Sequence, residues 1–360
     1  MKALRILVTG GAGFIGSNLI HYLLGKASKE LGIEILKVVN LDKLTYAGNL
    51  HNLRAWAEDS RLLNVEGDIC DAELVQKLLQ EHAITHVMHL AAESHVDRSI
   101  ESPEAFVMTN VVGTFRMLEA ARSYYKSLDQ ADQSGFRFLH VSTDEVYGSL
   151  QETDPAFSET TPYAPNSPYS ASKASSDHFA RSYFHTYHLP VIMTNCSNNY
   201  GPYQFPEKLI PLIISKARRG ESLPIYGEGS NVRDWLYVED HCRGLVFAML
   251  NGRLGETYNL GGKTEQTNLE VVRAILRTLR ECGVAVAQDS LVTFVTDRPG
   301  HDKRYAINCT KAEQELCWHP QEFFHTGLKK TIQWYLDNDD WVADIESGNY
   351  RGERLGLVKG

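Results

Sequence analysis

The chain has 360 residues, 43% of them hydrophobic and 22% charged, which suits a soluble globular protein of one large or two moderate domains. Its 36 basic and 45 acidic residues give a formal charge of −9, which argues against general nucleic-acid binding but leaves room for a local basic pocket that holds an anionic small molecule. The apolar run Leu4 to Val8 is too short for a signal-peptide core, and no stretch nears the ~20 apolar residues of a membrane span. Six cysteines without CxxC or metal-ligand spacing read as reduced thiols, with no metal site, in a cytoplasmic protein.

Short runs rich in Val, Ile and Leu alternate with longer amphipathic segments over the first 200 residues. Arg5–Thr9, Glu34–Leu41, His86–Ala91, Phe136–Ser142 and Val191–Asn195 read as buried strands. Phe14–Leu24, Ala72–Gln80, Glu104–Tyr125 and Pro168–His188 read as helices, the last opened by a hydroxyl cap at Ser167 and proline at the first helical position. The alternation predicts an α/β fold, a Rossmann-type doubly wound parallel sheet. From Asn198 to Gly229 four prolines and several glycines suggest a smaller, less regular lobe. Trp235–Met249 and Thr257–Leu260 then read as a helix and a short strand. The expected division is a cofactor-binding domain over 1–197, to which the chain returns around 235–262, and a mainly substrate-binding lobe over 198–360.

Gly11-Ala12-Gly13-Phe14-Ile15-Gly16 joins the first strand to the first helix. Glycine there lets the backbone turn tightly and approach a pyrophosphate resting on the helix N-terminus. Asp42 ends the second strand, where a carboxylate accepts from ribose hydroxyls and repels a 2′-phosphate, so NAD is favoured over NADP. Lys43 beside it weakens that discrimination, and a strand-end turn is the plain alternative for Asp42. Asp68-Ile69, after the third strand, suits either a turn or a place beside the adenine.

Tyr169 and Lys173, four apart, share one helix face. Free tyrosine has a pKa near ~10, and a neighbouring ammonium that lowered it by about three units would supply roughly 4 kcal/mol. YxxxK is common by chance; at this distance behind a glycine turn it is similar to the short-chain dehydrogenase/reductases. Thr143-Asp144-Glu145 adds two adjacent acids suited to eliminating water rather than to oxidation alone. Successive strand residues point opposite ways, so both acids reach one sugar only if the chain turns at Asp144. The plain alternative is that one of them caps the next segment.

The resemblance goes further. Leu90-Ala91-Ala92-Glu93-Ser94-His95-Val96-Asp97, Thr143 to Gly148, Asn195 to Pro202, Arg233-Asp234-Trp235 and Asp297 to Asp302 resemble the dTDP-glucose 4,6-dehydratases across most of the chain. No position matching that family's chemistry departs from its pattern. The likeness implies NAD as cofactor, on Gly10, Gly11, Gly13, Phe14, Ile15 and Gly16, on Asp42, Lys43, Leu44 and Thr45, on Asp68 and Ile69, on Leu90, Ala91, Ala92 and Ser94, and on Thr109, Tyr169, Lys173 and Asn199. For dTDP-glucose it implies Ser94, Thr143, Asn198, Lys208 and Leu209, Pro224 to Tyr226 (with Ile225 between), Arg233, Asn268, Asp297, Arg298 and His301, the basic side chains facing the diphosphate. Met193, Tyr200 and Tyr226 suit core as well as pocket.

The resemblance also implies roles. Tyr169 takes the carbon 4 hydroxyl proton with Thr143 on the same oxygen, as NAD accepts hydrogen from carbon 4. The ketone acidifies carbon 5, whose proton goes to ionised Glu145, while protonated Asp144 protonates the departing carbon 6 hydroxyl; NADH then reduces carbon 6. Asp144 must therefore keep its proton near neutral pH, and the coupled pair has no separable pKa values. In that family the helices matching Glu104–Tyr125 and Pro168–His188 form a four-helix interface, so the resemblance implies a homodimer. The rivals are a sugar-nucleotide 4-epimerase, which needs no acid pair, a 4,6-dehydratase for another nucleotide, and a non-catalytic NAD sensor.

Overall fold

The computed structural model describes residues 2–286, 291–297 and 299–348. Among the described residues twelve strands run in chain order as β1 (Lys2–Thr9), β2 (Ile33–Asp42), β3 (Leu62–Glu66), β4 (His86–His89), β5 (Arg137–Thr143), β6 (Val191–Cys196), β7 (Asn198–Tyr200), β8 (Leu223–Tyr226), β9 (Val232–Tyr237), β10 (Thr257–Leu260), β11 (Glu265–Thr267) and β12 (Val292–Val295). Seven form one all-parallel sheet in the order β3-β2-β1-β4-β5-β6-β10. Strand order reverses between β1 and β4, which opens a crevice at the strand carboxyl ends.

Both faces of this sheet are covered. In β1, Leu4, Ile6 and Val8 enter one core with the Phe14–Tyr22 and Val238–Asn251 helices, whereas Leu7 enters the other. That second core holds the Ala72–Glu81, Thr114–Ser127 and Pro168–Tyr187 helices. A strand apolar on both sides is what a parallel sheet between helical layers requires. A third core joins β8 and β9 to the Leu209–Arg218, Asn268–Glu281 and Phe324–Asp337 helices. β7 and β11 flank β9, and β8 pairs with β12. The chain re-enters the first core through the Val238–Asn251 helix and β10, and again at Ala312, Leu316 and Trp318.

Two helices differ from their sequence expectation. The chain is helical from Pro103 to Ser127, but Val107–Gly113 winds as a π-helix between two α segments. Trp235–Tyr237 are strand, and the helix begins at Val238. Pairing with β7 prevails there, helped by the aromatic residues of β9. Ser167 and Ser170 complete a capping box around Pro168. No helix of the described residues is long and apolar enough to cross a membrane.

Candidate active site

A cavity of about 480 Å³ fills the crevice and reaches from the glycine loop to Thr143, Asp144, Glu145, Tyr169 and Lys173. Its size suits a small-molecule site. Gly10 adopts φ +73, and a Cβ there would lie 2.8 Å from the Ala91 backbone, so only glycine lets the loop cross the end of β4. The next helix starts at Phe14 with no side chain capping its N-terminus at Gly13. A Cβ on Gly13 would meet only the Gly10 carbonyl, at 3.4 Å, so the cradle is open on the cavity side. These free N–H groups fit a dinucleotide pyrophosphate.

Asp42 accepts from the Ala12 N–H at 2.9 Å and the Leu44 N–H at 2.9 Å, which fixes its carboxylate at the cavity edge. Lys43 pairs with Asp68 at 2.7 Å. Thr45, Ile69, Leu90, Ala92, Ser94, Thr109 and Asn199 also line the cavity. Gly11 and Leu44 stand behind it: the Gly11 N–H donates to Asn40, and Leu44 adopts φ +52.

β5 ends at Thr143 and the chain turns at once into the 3₁₀ turn Asp144–Tyr147. The Glu145 N–H donates to Thr143 Oγ1 at 3.3 Å, and that hydroxyl stands 3.4 Å from Asp144 Oδ1. Asp144 is only 2% exposed, and its Oδ2 has no hydrogen-bond partner among the described residues. Burial, then the charges of Glu145 and Asp234, push its pKa well above the usual carboxylate range, against the pull of Arg233. Glu145 is half-buried.

Tyr169 and Lys173 are both buried. Lys173 Nζ donates to the Val141 carbonyl at 2.9 Å. Tyr169 departs from the expected lowering: burial and then the Glu145 charge raise its pKa, while a hydrogen bond with Thr143 opposes them. Burial lowers Lys173, and the Asp177 charge opposes that shift.

Of the expected sugar-nucleotide residues, Ser94, Thr143, Asn198 and Lys208 line the cavity. Lys208 also donates to the Ser94 carbonyl at 3.2 Å. Leu209, Pro224, Ile225, Tyr226, Arg233, Asn268, Asp297 and His301 lie outside its wall. Ile225, Tyr200 and Met193 are core side chains. Tyr226 donates to Asp97 at 2.9 Å, and His301 pairs with Asp297 at 2.5 Å. Arg233 lies over the Tyr305 ring at 4.2 Å and donates to the carbonyls of Val232 and Asp302. Arg298 falls outside the described residues.

The cavity also takes in residues that sequence reasoning passed over: Glu93, Cys196, Gln204, Phe205 and Glu207. Glu207 pairs with Arg98 at 3.2 Å, and burial raises its pKa and that of Glu93. Glu93 and Glu207 adjoin Ser94 and Lys208 in sequence, which was the available signal. Gln204 gave none.

The family model described as GDP-mannose 4,6 dehydratase matches residues 7–331. A dTDP-glucose 4,6-dehydratase of Xanthomonas campestris pv. campestris (strain B100) is 56% identical over 357 residues, covering 98% of this chain and 99% of that protein. The dTDP-glucose 4,6-dehydratase 1 of Escherichia coli (strain K12) is 52% identical over 359 residues, covering 97% of each. Among solved structures, the dTDP-glucose 4,6-dehydratase DesIV from Streptomyces venezuelae, crystallised with NAD, superposes with a TM-score of 0.87 at 46% identity, covering 95% of this chain and 100% of that one.

Proposed function

The chain belongs to the dTDP-glucose 4,6-dehydratases, and from that premise we infer how its residues carry the reaction. It is an NAD-dependent hydro-lyase that converts dTDP-glucose to dTDP-4-keto-6-deoxyglucose. When bound, NAD supplies an acceptor for the hydrogen of carbon 4, the donor that returns it to carbon 6, and a positive charge beside Tyr169.

Asp42, the Gly10–Gly16 loop and the uncapped helix at Phe14 hold the cofactor. Lys208 and Ser94, both in the cavity wall, receive the sugar nucleotide, with Arg233 and His301 contributing from outside that wall. Tyr169 accepts the carbon 4 hydroxyl proton, with Thr143 on the same oxygen and Lys173 stabilising the phenolate. The carbon 4 ketone then acidifies carbon 5, Glu145 takes its proton, and Asp144 protonates the leaving hydroxyl of carbon 6.

The observation that carries this reading is the inequality of the two acids. A buried carboxyl with an unpartnered oxygen, beside a neighbouring carboxylate, favours the protonated form an acid needs. A 4-epimerase has no use for it. Incubation with dTDP-glucose and no added NAD tests the function: a 4-keto-6-deoxy product, seen by its absorbance in alkali, is expected, with no accumulating NADH. Steady NADH release overturns it.

We further propose a homodimer built on the Pro103–Ser127 and Pro168–Tyr187 helices. Val107, Met108 and Phe179 on those helices leave 49%, 49% and 40% of their surface exposed, an apolar strip that a second copy would cover. Six free cysteines are consistent with a cytoplasmic enzyme.

A further inference from the structure

Tyr169, Lys173 and Asp177 recur every fourth residue, so they share one face of the Pro168–Tyr187 helix. Three consecutive residues of β5 receive that face. His140 Nε2 lies 2.9 Å from Asp177 Oδ1, Ser142 Oγ donates to Asp177 Oδ2 at 2.8 Å, and between them the Val141 carbonyl accepts from Lys173 at 2.9 Å. Tyr163 adds a third donor to Asp177, at 3.0 Å. The carboxylate is 2% exposed, and nothing in the reaction above uses it. One residue beyond Ser142, the same strand delivers Thr143 and the acid pair.

We propose that Asp177 is a positioning residue for carbon 4 oxidation: it locks the helix carrying Tyr169 and Lys173 onto the strand carrying Thr143, and supplies the countercharge that keeps Lys173 an ammonium. The inference rests on the roles assigned above to Tyr169 and Lys173. The titratable groups facing Lys173 are Tyr169 and Asp177 on its own helix, His89 on β4, His140 on β5 and Cys196 on β6. Burial lowers both histidines and so keeps them neutral, and it raises the Cys196 thiol, so Asp177 supplies the negative charge in this group. An ammonium shut in an apolar interior without a countercharge sheds its proton. Neutral Lys173 no longer stabilises the Tyr169 phenolate, so the tyrosine's pKa rises and less of it is ionised to act as base at neutral pH.

The test is Asp177→Asn, which keeps the shape and loses the charge, with dTDP-6-deoxyglucose as substrate. That sugar has no carbon 6 hydroxyl to eliminate, so absorbance of NADH on the enzyme reads carbon 4 oxidation alone. The acidic limb of the rate profile should move up by about one pH unit, a tenfold loss at pH 7, with KM within about threefold of wild type. Asp177→Glu should restore the limb, and Asp177→Ser, neutral but with room for water, should show the Asn displacement. A folded Asn or Ser variant that keeps the wild-type limb overturns the proposal, as does a uniform loss at every pH. Failure of the wild type itself to oxidise the sugar would refute the assignment of Tyr169 and Lys173, a separate outcome.

Discussion

Lys43 extends its ammonium to 2.7 Å from the Asp68 carboxylate. The cation that neighbours Asp42 in sequence is thereby paired from the turn after β3, which under the proposed assignment leaves Asp42 to read the ribose. Asp42→Ala should weaken NAD binding to cofactor-stripped protein about tenfold, because it also frees the Ala12 and Leu44 N–H groups. Asp68→Asn releases Lys43 and should narrow the preference for NAD over NADP severalfold. Calorimetric titration with both cofactors measures each effect; an unchanged NAD/NADP ratio in Asp68→Asn contradicts the pairing.

The buried acid makes stability depend on pH in a direction opposite to most carboxylates. The folded-state pKa of Asp144 lies above its unfolded value of ~3.9, so the folded protein binds the extra proton between the two. The stabilising contribution is present in acid and is lost as pH rises through the folded value. Asp144→Asn removes that dependence. It should stabilise the protein by about 1–3 kcal/mol at pH 8, read as a higher melting temperature, and the gain should vanish near pH 4. A constant gain at both pH values contradicts the raised pKa.

A hydrogen-bonded relay ties the Asp339–Gly348 helix to the glycine loop. Trp341 Nε1 donates to Asn52 Oδ1 at 2.7 Å, and Asn52 Nδ2 donates to the Ala12 carbonyl at 2.8 Å. Trp341→Phe keeps the ring in its cluster with Trp334 and Tyr203 but cuts the relay. A stability loss of about 1 kcal/mol is expected, with severalfold faster NAD dissociation followed by fluorescence. Wild-type dissociation would show that Asn52 holds the loop unaided.

The exposed strip gives a direct test of assembly. Met108→Asp or Phe179→Asp places a charge where a partner helix would pack, and should convert a dimeric mass to a monomeric one in light scattering at micromolar concentration. A wild-type monomer under the same conditions contradicts the dimer.

Local pattern carried the parts of the site whose causes are local. The glycine loop follows an apolar strand, Ser167-Pro168 announces its helix, and Tyr169 and Lys173 are placed together by helix geometry alone. The acid pair was legible as a pair, and the resemblance implied its inequality; of the physical causes only the neighbouring Glu145 charge could be read locally, since burial and the charges of Asp234 and Arg233, about 90 residues away in sequence, come from the fold. Asp177 was invisible for the same reason, because its donors come from β5 and from Tyr163. The lowered tyrosine pKa expected from YxxxK spacing is opposed in the protein alone by burial and by the Glu145 charge, neither of which that spacing shows. Trp235–Tyr237 misled because strand pairing, not helical periodicity, decides their conformation.

The central claim is that Asp144 and Glu145 perform elimination and leave oxidation to Tyr169. The direct measurement follows NADH absorbance and product together after dTDP-glucose is mixed with holoenzyme carrying Asp144→Asn or Glu145→Gln. Both variants should oxidise carbon 4 and hold the NADH signal, while 4-keto-6-deoxy product forms at least about a hundredfold more slowly than in wild type. Near-wild-type product formation by either variant would contradict the role assigned to that residue.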